Sequence, residues 1–131
     1  MKIPLYKVLN AQEQIKNLLA VDFDTNISWR ISTMVRKIQP ELEQYTAKRK
    51  AIIEELCDKD EEDKPKLTDS VDEEGKKTQI YTFSKENTEK FNAKMKELGE
   101  VEIDLNFEPI MIKDIKDTKV PAKDLVDWMF I

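Results

Sequence analysis

Asp58, Asp60 and Glu62 stand at the first, third and fifth places of a calcium-loop pattern, with Asp69 at the twelfth. Oxygen ligands at that spacing can wrap a hard cation, but the loop needs glycine at its sixth place for a sharp turn. Here the sixth place is Asp63, and Pro65 interrupts the loop. The run therefore reads as solvated acid, and no metal ligands are assigned. Glu54-Glu55 and Asp72 with Glu74 offer further carboxylates, yet general acid–base work also needs a pocket around them. The chain has no histidine and a single cysteine, Cys57. That removes Ser-His-Asp and Cys-His catalysis and zinc sites built on His or thiolates. The two glycines, Gly75 and Gly99, cannot assemble a phosphate-cradling loop or a dinucleotide turn in its usual form. Cys57 follows a helix end among acids, with nothing local to depress its pKa. No catalytic or cofactor-binding residue is assigned, and the expectation is a protein that is not an enzyme.

Chemistry of recognition is better represented. Trp29, Trp128 and Phe130 are the side chains that most often anchor interfaces. The segment Asp127-Trp128-Met129-Phe130-Ile131 is apolar and must be covered either by the body of the protein or by another chain. Arg49 interrupts an apolar seam; either its stem packs while its head reaches water, or it faces a partner and fixes register. Asp60, Glu61 and Glu62 lie in the densest negative stretch, Asp58 to Glu74. These residues are the candidates for partner binding.

The elements that must position them begin with the seam itself. Ile31, Val35, Ile38, Leu42, Tyr45, Arg49, Ile52 and Leu56 alternate steps of four and three, which lays one stripe along a helix suited to packing on a second helix. A helix over Asp24 to Cys57 would be roughly 50 Å long at 1.5 Å per residue. Asp24 or Asn26 can cap its start. Pro40 either kinks it or divides it; the seam keeps its phase across Pro40, which favours one kinked helix. An amphipathic helix is expected over Lys7 to Ala20, after a short extended segment at Lys2 to Tyr6. Asp58 to Lys77 reads as an exposed, mobile acidic loop. Thr78 to Phe83 is β-prone. Ser84 can cap a helix ending at Gly99, on which Phe91, Met95 and Leu98 share a face. Val101 to Phe107 alternates as a half-buried strand, Ile110 to Ile112 either forms a second extended piece or continues that strand past Pro109, and Pro121 opens a short terminal helix. No internal repeat is evident. The fold class expected is α+β, mainly α: a long antiparallel helical hairpin with a small antiparallel sheet at its base, in one domain over residues 1–131 with a flexible acidic loop at about 58–77.

Composition sets the outer bounds. Of 131 residues, 37% are charged, and the net charge is −5. That balance argues against broad nucleic-acid binding, which needs clustered Lys and Arg, and against peripheral binding to anionic membranes. No apolar run reaches the roughly 20 residues of a membrane span. The first residues lack a signal-peptide core, and one cysteine agrees with a reducing compartment.

The order of these elements resembles a family of small phage proteins of unknown function from siphophages and prophages of Gram-positive bacteria. The resemblance rests on Gln39-Pro40-Glu41-Leu42 with Tyr45, Lys48-Arg49-Lys50 and Ile52-Ile53-Glu54-Glu55; on Asp58-Lys59-Asp60-Glu61 leading to Phe91-Asn92-Ala93-Lys94-Met95-Lys96-Glu97-Leu98; and on Glu100-Val101-Glu102-Ile103-Asp104-Leu105, Ile112-Lys113-Asp114-Ile115 and Val120-Pro121-Ala122-Lys123-Asp124-Leu125. The longer acidic loop and the aromatic end, Trp128 to Ile131, depart from that pattern. The resemblance implies a non-enzymatic phage accessory protein in the host cytoplasm. It would bind a phage or host protein or a second copy of itself, with virion assembly as one expected setting. The alternative is an acidic inhibitor of a host or anti-phage defence enzyme, occupying a basic groove by charge complementarity. No cofactor, nucleic acid or membrane enters either expectation.

Overall fold

Asp24 sets the start of the longest element. Its carboxylate accepts the backbone N–H of Ile27 at 3.0 Å, one of the donors that a helix start leaves without an intrahelical partner. In the computed structural model, which describes residues 1–131, helix α3 then runs unbroken over Thr25–Leu56 with Pro40 inside it. Pro40 leaves the carbonyl of Arg36 without its helical donor; both residues are exposed, so water can take that place. Helices hold 52% of the chain, and the strands form two separate two-stranded antiparallel sheets. The class is α+β, mainly α. The chain divides into two compact units: Met1–Glu43 with Gly99–Ile131, and Gln44–Leu98.

The first unit is built around β1 (Lys2–Pro4), α1 (Leu5–Asn10), α2 (Gln12–Leu19), the opening turns of α3, and the tail of the chain. The helix expected over Lys7 to Ala20 is two helices. Buried Ala11 stands between them at φ −101°, ψ 4°, outside the helical well. Strand β1 pairs with Glu102–Asp104, Ile3 opposite Ile103. The alternation read from Val101 to Phe107 does sort the faces: Ile103, Leu105 and Phe107 are buried, although Val101 is exposed. On α3 the buried stripe is Ile27, Ile31, Met34 and Ile38, spaced four, three and four as one helical face requires.

The apolar tail belongs to this core. Ile110 bridges Phe130 in parallel, and the backbone N–H of Ile110 donates to Met129 O at 2.7 Å. Trp128, Met129 and Phe130 are 9%, 0% and 4% exposed. Trp128 and Phe130 are therefore corrected as partner-binding candidates, because their area is already spent on the unit's own interior. Pro121 does open a helical turn, but it is a short 3-10 turn, Ala122–Asp124. Asp124 is the one buried polar or charged residue, 3% exposed, and Asn17 of α2 donates to its carboxylate at 3.2 Å.

The second unit holds the rest of α3, the strands β2 (Leu67–Val71) and β3 (Lys77–Tyr81), and α4 (Lys85–Gly99) up to Leu98. Ser84 caps α4: its Oγ accepts the N–H of Asn87 at 3.1 Å. The ends of α3 and α4 are tied as the expected hairpin. Asn87 Nδ2 donates to Leu56 O at 3.0 Å, and Lys94 pairs with Glu55 at 3.0 Å. Phe83 and Phe91 stack with ring centroids 4.8 Å apart. Ile53, Leu56 and Cys57 are the buried apolar residues here, so this core is thin. The seam is not continuous, for Leu42, Tyr45 and Ile52 are half-buried and Arg49 is exposed.

The stretch expected as an acidic loop contains β2 and pairs with β3 in register Leu67↔Tyr81 to Val71↔Lys77. It also contains a repeated turn. Asp60-Glu61-Glu62-Asp63-Lys64 and Asp72-Glu73-Glu74-Gly75-Lys76 fold alike. In the first, Asp60 Oδ1 accepts the N–H groups of Glu62 and Lys64 at 2.9 and 3.0 Å. In the second, Asp72 Oδ1 accepts those of Glu74 and Lys76 at 3.0 and 2.8 Å. The fourth residue of each is left-handed, Asp63 at φ 59° and Gly75 at φ 80°. This is the three-residue hairpin closure, a type I turn followed by a left-handed residue. Acids in such a run act first on their own backbone.

Candidate functional site

Of the partner-binding candidates, Trp29 alone combines large apolar area with exposure. It is 67% exposed on α3, one residue past the capped first turn. Trp29, Thr33 and Lys37 follow one another at four-residue steps, so they form one ridge of the helix. That ridge walls a cleft of about 290 Å³, whose other wall is Leu105, Asn106, Phe107 and Glu108. All belong to the first unit.

Arg30 holds the two walls together. Its guanidinium lies 5.8 Å from the centre of the Phe107 ring, within cation–π range. Its Nη2 donates to Glu108 O at 2.6 Å and to Pro109 O at 3.4 Å. Arg30 is thereby engaged as a strut, leaving Trp29 and Lys37 as the groups that face outward on α3. Asn106 turns the opposite wall at φ 46°, and its N–H donates to Asp104 Oδ1 at 3.0 Å. That hydrogen bond, and next the Met1 ammonium 3.4 Å away, hold the Asp104 carboxyl below its usual pKa. The cleft thus offers an indole face, one free-standing cation, and an acid at Glu108. That combination suits the mixed surface of a protein.

The other candidates do not join it. Arg49, Asp60, Glu61 and Glu62 are exposed in the second unit, and Glu62 is paired with Lys64 at 3.3 Å. Trp128 and Phe130 are interior, as described. The sequence reading missed Arg30, Lys37, Phe107 and Glu108. The helical step from Trp29 to Lys37 was the available signal for one wall. Nothing local marks the other, since Arg30 and Glu108 are 78 positions apart. No family model, curated protein or solved structure matches this chain.

Proposed function

We propose that this chain is a non-enzymatic phage accessory protein that acts by binding another protein, with Trp29 as the anchor. The observation that carries the reading is Trp29 itself: an indole 67% exposed at the mouth of a braced cleft. Large exposed aromatics are the side chains whose truncation costs most at interfaces, often 2 kcal/mol or more. The phage setting draws support from the element order described above, and a component of virion assembly is one partner the reading allows. The absence of histidine and the single cysteine support a role in recognition over catalysis. No helix is long and apolar enough to cross a membrane.

The experiment compares wild type with Trp29→Ala, using capture from phage-infected cells and light scattering for self-association. The expected result is a phage or host protein, or a second copy, held by wild type and weakened about 30-fold in the variant. A monodisperse wild-type monomer that captures nothing, or a partner held equally well by Trp29→Ala, overturns the reading.

A second reading, an acidic inhibitor of a host or defence enzyme, draws on the gathering of Asp60, Glu61, Glu62 and Asp63 in one exposed turn. It requires binding that weakens steeply with salt and is lost when those acids are neutralised. Binding that ignores both changes rejects it.

A further inference from the structure

A second cleft, also of about 290 Å³, opens in the first unit where the break between α1 and α2 meets the tail; Lys7, Gln14, Lys123 and Trp128 are among its lining. Its volume sits at the lower edge of small-molecule pockets, roughly 300 Å³ and upward. Two buried polar atoms of the molecule have no hydrogen-bond partner, Trp128 Nε1 and Gln14 Oε1, and both residues line this cleft. A buried donor left unmade costs about 1–3 kcal/mol, so an unpaired indole N–H on a cleft wall calls for an acceptor. Trp128 is itself 9% exposed. Gln14 is half-buried, and its side-chain oxygen is held by nothing, so rotating that amide aside sacrifices no hydrogen bond at Oε1. Lys7 and Lys123 bring positive charge to the same lining, against the single acid Asp127.

We propose that this cleft binds a small oxyanion, a carboxylate or a phosphate, which accepts a hydrogen bond from Trp128 Nε1–H and is balanced by Lys7 and Lys123. Gln14, whose buried side-chain oxygen is also unpaired in this lining, acts on this proposal as a door that swings aside when the anion enters. The anion replaces an unsatisfied donor with a charge-assisted hydrogen bond. This site is independent of the Trp29 surface, and the two stand or fall separately.

The chain has two tryptophans, so an ¹⁵N–¹H spectrum of the full-length protein carries two indole signals, with exposed Trp29 as the internal control. Succinate and inorganic phosphate are titrated separately, each against sodium chloride at matched ionic strength. The expected result is a saturable shift of the Trp128 signal with one or both anions, and none with chloride. The anion that saturates at lower concentration identifies the carboxylate or the phosphate class. Lys7→Ala with Lys123→Ala is expected to weaken that binding at least tenfold. Gln14→Ala is expected to retain binding and to speed solvent exchange of the Trp128 indole proton. No saturable shift with either anion, an equal shift with chloride, or full binding by the double lysine variant overturns the site. Loss of binding in Gln14→Ala overturns the door.

Discussion

Removing the amide of Asn17 by Asn17→Ala strips the buried Asp124 carboxylate of its side-chain donor. Asp124 is 3% exposed, no salt bridge reaches it, and the Asn17 bond is 3.2 Å long. A hydrogen bond to a charged group contributes about 1.5–3 kcal/mol, and the length of this one places it at the weak end, near 1.5 kcal/mol. For a chain of this size that is a fall in Tm of about 5 °C. Urea unfolding of wild type, Asn17→Ala, Asp124→Ala and the double variant completes the thermodynamic cycle. The coupling energy should be about 1.5 kcal/mol, with the single Asn17→Ala change costing nearly as much as the pair, because it leaves the carboxylate buried and short of a donor. A coupling below about 0.5 kcal/mol would refute the reasoning, since the carboxylate would then be satisfied by something other than Asn17. The assay also bears on the anion cleft, because this bond ties the segment carrying Lys123 to α2.

Three further outcomes follow from the same geometry. Gly75→Ala should destabilise the β2–β3 hairpin by about 1–2 kcal/mol, purely through its left-handed backbone, since an added Cβ meets nothing within 4 Å; Gly75→Asp should cost less, as Asp63 occupies the matching seat at φ 59°, and amide exchange across the hairpin reads both. Ile53→Ala should cost about 2–4 kcal/mol in urea unfolding, because Ile53 is one of the few buried residues of the second unit. Asp104 has its pKa lowered by folding, so its contribution is present above the ordinary carboxylate value and lost as pH falls through the lowered one; the gap in urea midpoint between wild type and Asp104→Asn should therefore be open at pH 7 and close in acid, and a gap independent of pH would contradict the assignment.

The parts legible in the sequence are those whose cause is local. The Asp24 and Ser84 caps, the helix from Lys85, and the burial of Ile103, Leu105 and Phe107 each follow from residues within a few positions of one another. The β2–β3 hairpin was hidden because acids crowd its turn and the stretch before it, and like charges in a run read as loop until their carboxylates are seen accepting their own backbone N–H groups. The repeat of Asp60–Lys64 in Asp72–Lys76 was obscured by Asp63 standing where its counterpart has Gly75. Trp128 and Phe130 looked like anchors because an apolar segment carries no mark of which surface covers it. The bridge from Ile110 to Phe130 settles that and lies beyond any local pattern. Arg49 kept the spacing of the seam but not its burial, since periodicity gives the face of a helix and cannot say how far a neighbour extends along it. The Trp29 cleft was half legible for the same reason.

The ribbon formed by β2 and β3 has almost no sheltered side: Leu67, Val71, Ile80 and Tyr81 are all exposed. Its two outer edges present rows of amide groups that another strand can dock against. The charged turn Asp72–Lys76, which closes one end of the ribbon, imposes repulsion on incoming chains, so that end acts as a brake on stacking while the middle stays adhesive. At high concentration, clumping should therefore begin at this ribbon, and salt should hasten it by screening that turn.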